Sequence, residues 1–332
     1  MKSNVVIPAV IRRHFYQDRT KTFSIYIILT GLLLLTGCSS AKDQSAANLD
    51  RQIKLQQLQQ ELTSEPAAIE QRTAAECEEQ GNRYLARGDI NRAYIYYSKG
   101  LEIEPDNISL IHKQGALLLK KEKLVEATAA YEKLLLINNK DSVALEGRGK
   151  AYYGRNKLTE AEQDFLAALA INPDHWQSHQ FLGLIYGRRQ EFANAINQFH
   201  LALASQPNND SLNNNLAVTY YLNGNFKEAA ALLQGLVKSS KNQKVYNNFA
   251  LASFQLGLYD QAMDAFKRGS DNEAAAYNNM GHEFLTKKKY KEAIQAFEKA
   301  IALHPKFYPS AQNNLSIATN EYLASHTKPE NQ

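Results

Sequence analysis

A recurring step of 34 residues constrains the fold of this chain more than any other feature. Five small residues follow that step: Gly81, Gly115, Gly149, Gly183 and Ala217. Alanines lie 12 positions later and continue at nearly the same step: Ala93, Ala127, Ala161, Ala195, Ala229, Ala262 and Ala293. Aromatic residues lie four positions after most of these alanines, at Tyr97, Tyr131, Phe165, Phe199, Phe266 and Phe297. A period of this length predicts stacked helix–turn–helix units.

Each residue type in the period has a physical reason to be there. Small residues let the backbones of two helices approach closely, where a larger side chain would separate them. The prolines at Pro105, Pro173, Pro207 and Pro305 end the second helix of four units. A single helix pair cannot bury its apolar face alone, so the units must stack. The sequence therefore predicts an all-α fold.

The pattern resembles the tetratricopeptide repeat. That resemblance implies a right-handed superhelical solenoid over residues 74–325, made of seven helix–turn–helix repeats and a C-terminal capping helix. The predicted units are 74–107, 108–141, 142–175, 176–209, 210–242, 243–273 and 274–307. A capping helix is predicted after them, because Ala311, Leu315, Ala318 and Tyr322 have helical spacing. Residues 326–332 are predicted to be a flexible tail.

The first 37 residues have the pattern of a secretory signal peptide. Basic residues precede an apolar run from Phe23 to Leu35, which at about 13 residues is too short to span a bilayer. The run ends in Leu35-Thr36-Gly37-Cys38, which resembles a bacterial lipobox and implies lipidation of Cys38. An uncleaved anchor is the alternative. Because Ser39 follows the cysteine, the resemblance implies a lipid-anchored protein of the outer membrane that faces the periplasm.

Residues 38–73 are predicted to be a lipid-anchored linker that contains a short amphipathic helix between positions 48 and 61. The distribution of charge is consistent with removal of residues 1–37. The chain carries 38 Lys and Arg against 34 Asp and Glu, and residues 1–37 contribute five and one of these. The remainder is formally neutral, which argues against nucleic-acid binding.

Asparagine pairs are the most distinctive feature of the predicted first helices. They occur in three successive repeats and in the capping helix, as Asn214-Asn215, Asn247-Asn248, Asn278-Asn279 and Asn313-Asn314. Asparagine is a mediocre helix former, so its repetition needs a reason. A column of carboxamides can clamp an extended peptide by its backbone. Hydrogen bonding between repeats, or simple exposure to water, are the alternatives.

The same surface is predicted to carry aromatic and cationic partner-binding residues: Tyr153, Arg188, Tyr221 and Phe254, together with Lys150 and His282. Such residues suit an amphipathic or acidic segment of another protein, bound as an extended peptide or a helix.

The sequence predicts neither an enzyme nor a cofactor. It has no glycine-rich phosphate loop, nucleophile elbow or paired-carboxylate constellation. His175 and His179 are four residues apart, a spacing that allows two metal ligands, but no third ligand is evident nearby. Cys77 is expected to be a core residue, with a reactive thiol as the alternative.

The C-terminal repeats resemble the Tad (Flp) pilus assembly lipoproteins, through Asn214-Asn215-Leu216-Ala217, Asn247-Asn248-Phe249-Ala250 and Asn278-Asn279-Met280-Gly281. The resemblance implies an adaptor that assists assembly or outer-membrane targeting of a pilus secretin. The alternative is an envelope adaptor for peptidoglycan hydrolases or outer-membrane protein assembly factors.

Overall fold

The computed structural model describes residues 72–303 and 308–326, which form α-helices and no strand. The chain divides into two units, Met1–Gln71 and Arg72–Gln332, and every described residue belongs to the second. The predictions for the signal peptide, Cys38, nearly all of the linker, Pro305 and residues 327–332 concern positions outside the described residues.

Seven helix pairs and one further helix make up the described chain. The helices are α1 (Ala74–Ala86), α2 (Ile90–Ile103), α3 (Ile108–Lys120), α4 (Leu124–Ile137), α5 (Ser142–Gly154), α6 (Leu158–Ile171), α7 (Trp176–Arg188), α8 (Phe192–Ser205), α9 (Asp210–Leu222), α10 (Phe226–Leu236), α11 (Gln243–Gln255), α12 (Tyr259–Gly269), α13 (Glu273–Thr286), α14 (Tyr290–Leu303) and α15 (Pro309–His326). Each pair begins within one residue of a predicted repeat boundary, and α15 is the predicted capping helix.

Each helix packs against the next one in the chain. In addition, α3, α5, α7, α9 and α11 contact each other in succession, and α13 contacts α15. We call the odd-numbered helices the first-helix row. This arrangement confirms the predicted all-α solenoid, and it places the side chains of successive repeats side by side along the row.

Glycines of the 34-residue series lie under aromatic rings from the second helix of the same pair. A Cβ added to Gly81 would lie 2.3 Å from Tyr97 Cε1, and one added to Gly149 would lie 2.8 Å from Phe165 Cε1. Both rings are fully buried. The small residues are therefore required because the ring of the second helix rests directly on the backbone of the first.

A left-handed residue connects the two helices of every pair. The series is Gly88, Glu122, Asn156, Gln190, Gly224, Gly257 and Lys288, with φ between 56° and 84°. Three of the seven are glycines, which adopt this conformation without steric cost. The turn geometry is thus common to all repeats although its residue type is not.

Side chains cap the start of most helices in the first-helix row. Thr73 forms a reciprocal capping box with Glu76, and Asn107, Asp141, Asn209, Asn242 and Asn272 each accept from a backbone N–H of their helix. Among α1 to α13 of this row, His175 is the exception, because it has no side-chain capping bond. None of the helices in the described ranges combines the length and apolar character that a membrane crossing requires.

Candidate partner-binding surface

Two of the asparagine pairs make hydrogen bonds between repeats. Asn248 Nδ2 on α11 donates to Asn214 Oδ1 on α9 at 2.9 Å. Asn314 Nδ2 on α15 donates to Asn278 Oδ1 on α13 at 3.1 Å. Each bond joins the first asparagine of one pair to the second asparagine of a later pair. A carboxamide has further donor and acceptor positions, so each bonded pair retains capacity to bind a peptide backbone.

The other four asparagines differ among themselves. Asn247 Nδ2 donates to the Gly269 carbonyl at 2.7 Å, and Asn279 Nδ2 donates to Ser270 Oγ at 3.3 Å. These two side chains therefore contact the end of α12. The side chain of Asn215 is half-buried, and Asn313 is exposed. Hydrogen bonds to one another join four of the eight asparagines, and their use as a peptide ladder stays a prediction.

The position of these amide pairs is occupied by an ion pair at the N-terminal end. Glu78 on α1 pairs with Lys113 on α3, and Ser109 Oγ also donates to the Glu78 carboxylate at 2.7 Å. Glu78 and Lys113 are 35 residues apart, and the asparagine partners are 34 and 36 apart. We call this recurring position the joint position. Sequence reasoning missed its role, although the opposite charges of Glu78 and Lys113 were a usable signal.

Histidine–carboxylate pairs connect the repeats in the middle of the solenoid. His112 Nε2 lies 2.7 Å from Asp141 Oδ2, and His175 Nδ1 lies 2.8 Å from Glu146 Oε2. In both pairs the two residues are 29 positions apart in the sequence. The histidine comes first in one pair and the acid comes first in the other. Lys150 Nζ, at 2.6 Å, also binds the buried Glu146.

The histidines that were considered as metal ligands contact separate protein groups. His175 Nε2 lies 3.3 Å from Ser142 Oγ, in addition to its contact with Glu146. His179 contacts Gln198 Oε1 through Nδ1 at 2.7 Å and the Pro173 carbonyl through Nε2 at 3.1 Å. Over residues 72–303 and 308–326, no group of three or more His, Cys, Asp or Glu side chains is arranged to hold a metal ion.

A cluster of two aromatic rings and two cations lies across α5 and α7, and we call it the cation–aromatic patch. The rings of Tyr153 and Phe181 meet edge to face, with centroids 5.1 Å apart. The Arg188 guanidinium lies 5.4 Å from the Tyr153 ring centroid, and Lys150 Nζ lies 5.9 Å from that of Phe181. All four side chains are half-buried. The patch unites the predicted Tyr153 and Arg188, but sequence reasoning missed Phe181.

Burial raises the pKa of the Tyr153 phenol, although the Arg188 charge opposes that shift. The hydroxyl of Tyr153 therefore stays protonated at neutral pH and can donate a hydrogen bond to a partner. Arg188 Nη1 itself donates to Asn156 Oδ1 at 3.2 Å, which holds the guanidinium beside the Tyr153 ring.

The structure corrects the role predicted for Phe254. Its side chain is only 1% exposed, so it is a core residue and does not line the surface. Tyr259 and Phe284 pack against it, with ring centroids 5.1 and 5.0 Å away. Tyr221 remains half-buried, and its hydroxyl accepts a hydrogen bond from Gln255 Nε2 at 3.3 Å. Periodicity alone did not separate Phe254 from Tyr221, because the two occupy equivalent positions of successive repeats.

Cys77 lies in the core of the first repeat. It is fully buried, and burial raises the pKa of its thiol. These observations confirm the prediction that Cys77 is a packing residue.

Comparison with known proteins agrees with this architecture. Residues 112–175 and 274–307 match tetratricopeptide repeat families, and residues 188–269 match the family described as anaphase-promoting complex, cyclosome, subunit 3. A tetratricopeptide repeat protein from Parabacteroides merdae has a similar structure, with a TM-score of 0.52 and 22% identity over 74% of this chain and 99% of that one.

Curated relatives match over short stretches. Protein O-mannosyl-transferase Tmtc3 of Drosophila melanogaster is 30% identical over 96 residues, which are 28% of this chain and 10% of the relative. DnaJ homolog subfamily C member 7 of Mus musculus is 37% identical over 68 residues, or 19% and 14% of the two chains. This chain spans no more than 21% of the length of the curated relatives that it matches. Together with the seven helix pairs, these matches show that the chain contains tetratricopeptide repeats.

Proposed function

We propose that this protein is a scaffold that holds segments of partner proteins on its first-helix row. The cation–aromatic patch is the observation that carries this proposal. Tyr153, Phe181 and Arg188 are large, rigid or cationic side chains that remain partly open to solvent. Residues of this kind dominate the energetics of protein interfaces when a partner completes their burial.

The chemistry of the patch favours an acidic segment that also carries an apolar or aromatic side chain. Lys150 is already neutralised by Glu146, whereas the contacts of Arg188 are with the neutral Asn156 and Tyr153. Of the two cations in the patch, Arg188 is therefore the one whose charge is better placed to attract a carboxylate of the partner. The rings beside it offer apolar area for the neighbouring side chain of the same segment.

The proposal also includes the location and partner that the sequence implies. Lipidation of Cys38 would hold the scaffold at the outer membrane, facing the periplasm. Anchoring of this kind raises the effective concentration of the patch near a partner that inserts into the same membrane. The resemblance to Tad (Flp) pilus lipoproteins makes a secretin, or another component of that pilus, the proposed partner.

The decisive experiment is affinity purification of the tagged full chain from detergent-solubilised envelopes, followed by mass spectrometry. The wild type is compared with a Tyr153→Ala/Arg188→Ala variant and with Arg189→Ala as the matched control. Arg189 is the next residue but binds Glu162 of α6, at 2.6 Å, and so faces the second helices. We expect the partner to be lost only from the double variant, with circular dichroism confirming that it is folded.

Each outcome has a definite meaning. A pilus secretin lost from the double variant supports the whole proposal. Peptidoglycan hydrolases or outer-membrane assembly factors would replace the pilus role with the alternative adaptor role. Partners that are equally retained by all variants would remove the patch from the proposal. Recovery of no partner at all would contradict the scaffold role. Fractionation of a Cys38→Ser variant tests the anchor, because this change should release the protein from the membrane fraction.

A further inference from the structure

Glu283 differs from the other buried acids of the described chain. The buried carboxylates there are Glu146, Asp164 and Glu283. Glu146 binds Lys150 and His175, and Asp164 accepts two hydrogen bonds from Arg148, at 2.7 and 2.8 Å. Glu283 has a side chain that is only 2% exposed, yet no described residue donates a hydrogen bond to it.

The contact between Glu283 and His282 does not supply a hydrogen bond to the carboxylate. His282 Nδ1 lies 3.7 Å from Glu283 Oε1, which is beyond hydrogen-bonding distance. A carboxylate withdrawn from water costs free energy unless donors or an opposite charge replace its hydration. The Glu283 carboxylate therefore lacks the hydrogen-bond donor that would offset the cost of its burial.

The carboxylate nevertheless reaches solvent. The fully buried side-chain polar atoms without a partner, within the described ranges, are Arg72 Nη1, His112 Nδ1, Asn247 Oδ1 and His282 Nδ1. Neither oxygen of Glu283 is among them, so each oxygen keeps a small contact with water. The carboxylate is thus recessed: it touches water only slightly, while the rest of the side chain is covered.

A polar group of a preceding first helix is within electrostatic range of this carboxylate. The negative charge of Glu283 is close enough to add to the effect of burial, and both raise the pKa of the Tyr221 hydroxyl on α9. Gln255 on α11 donates to that same hydroxyl at 3.3 Å. The rings of Tyr221 and Phe284 are partly buried against the same core cluster.

We propose that Glu283 is a recessed subsite for one lysine or arginine side chain of the partner segment. This inference rests on the proposed function, since it concerns the same first-helix row. The ammonium or guanidinium group supplies the hydrogen-bond donors that the described residues do not provide. The partner segment is therefore acidic where it meets Arg188 and basic where it meets Glu283.

The rival interpretation is that Glu283 serves stability through His282. The two interpretations predict opposite effects on folding. If Glu283 lacks an internal partner, Glu283→Gln removes a desolvated charge and leaves the unfolding midpoint unchanged or raised. If His282 is its partner, the same substitution lowers the midpoint, because it leaves the histidine without its counter-charge.

The test selects random twelve-residue peptides, displayed on phage, against the full chain in detergent. Selected peptides are then synthesised, and their affinities are measured for the wild type, Glu283→Gln and Glu298→Gln. Glu298 is an exposed residue of α14, so its change alters the net charge equally and serves as the control. We expect a basic residue at one fixed position of the peptides. Glu283→Gln should weaken their binding by about tenfold to a hundredfold, with Glu298→Gln unaffected.

Several results would overturn the inference. These are selected peptides without a recurrent basic residue, equal affinity for Glu283→Gln and wild type, or a clearly lowered unfolding midpoint of Glu283→Gln. If those results occur while the envelope partner is still lost from the Tyr153→Ala/Arg188→Ala variant, the scaffold role stands and only the subsite fails. If neither peptides nor an envelope partner bind the wild type, both proposals fail.

Discussion

Replacement of Glu146 by glutamine tests how the middle repeats are held together. The Glu146 carboxylate has Lys150 Nζ at 2.6 Å, His175 Nδ1 at 2.8 Å and Ser178 Oγ at 3.4 Å. Its side chain is 8% exposed, so water replaces these partners poorly. Hydrogen bonds to a charged group contribute about 1.5–3 kcal/mol each, and loss of one partner of a buried pair costs about 3–5 kcal/mol.

Glutamine keeps the shape of the side chain and one acceptor oxygen. The expected loss of stability is therefore smaller than that for removal of a whole partner from a buried pair. We expect Glu146→Gln to lower the free energy of unfolding by about 2–3 kcal/mol. Glu126→Gln is the matched control. Glu126 is 55% exposed and lies 3.8 Å from Lys123, so its loss should cost no more than about 0.5 kcal/mol.

Urea unfolding of the full chain, followed by circular dichroism, measures the two changes. Because repeats interact mainly with their neighbours, unfolding need not be a single transition. Amide hydrogen exchange then locates the effect, which should be largest in α5 and α7. If Glu146→Gln loses no more stability than Glu126→Gln, the buried contacts do not hold these repeats together and the reasoning is wrong.

Three further predictions concern packing and strain. Glu122→Gly should raise the free energy of unfolding by about 0.5–1 kcal/mol, because Glu122 has a φ of 56°; a lower stability would refute this cause. Gly183→Ala should lower it by about 1–3 kcal/mol, because its Cβ would lie 2.9 Å from Phe199 Cε1. Gly187→Ala should not lower it, since nothing lies within 4 Å of that Cβ, and equal losses at both glycines would contradict the packing argument. In a Cys38→Ser chain, Cys77 should react with a thiol reagent more slowly than free cysteine, because burial shields the thiol and raises its pKa; an equal rate would place it at the surface.

The helix pairs were predictable because each repeats the same steric requirement. Glycine under an aromatic ring leaves a clear trace in the sequence, as at Gly81 with Tyr97 and at Gly149 with Phe165. Four such pairs at one spacing also fix the register of all the helices between them. The fold was therefore recoverable from residue type and spacing alone.

The surface was harder to predict because equivalent positions differ in what covers them. Tyr221 and Phe254 occupy the same place in successive repeats, but Phe254 is enclosed by Tyr259 and Phe284. The asparagine pairs were suited both to binding a peptide backbone and to hydrogen bonding between repeats, and the repeat spacing did not decide between these roles. Nothing in the sequence marked Glu283, because its lack of a hydrogen-bond donor depends on which side chains surround it in the fold.

The joint position also bears on how the chain avoids assembling incorrectly. A solenoid of similar units risks docking one unit onto the wrong neighbour, and such errors are characteristic of repeat proteins. Here Glu78 meets Lys113, whereas Asn214 meets Asn248 and Asn278 meets Asn314. An early repeat placed against a late one would set a charge against an amide and lose its ion pair. The side chains at the joint position thus distinguish the N-terminal repeats from the C-terminal ones, as well as contributing to their stability.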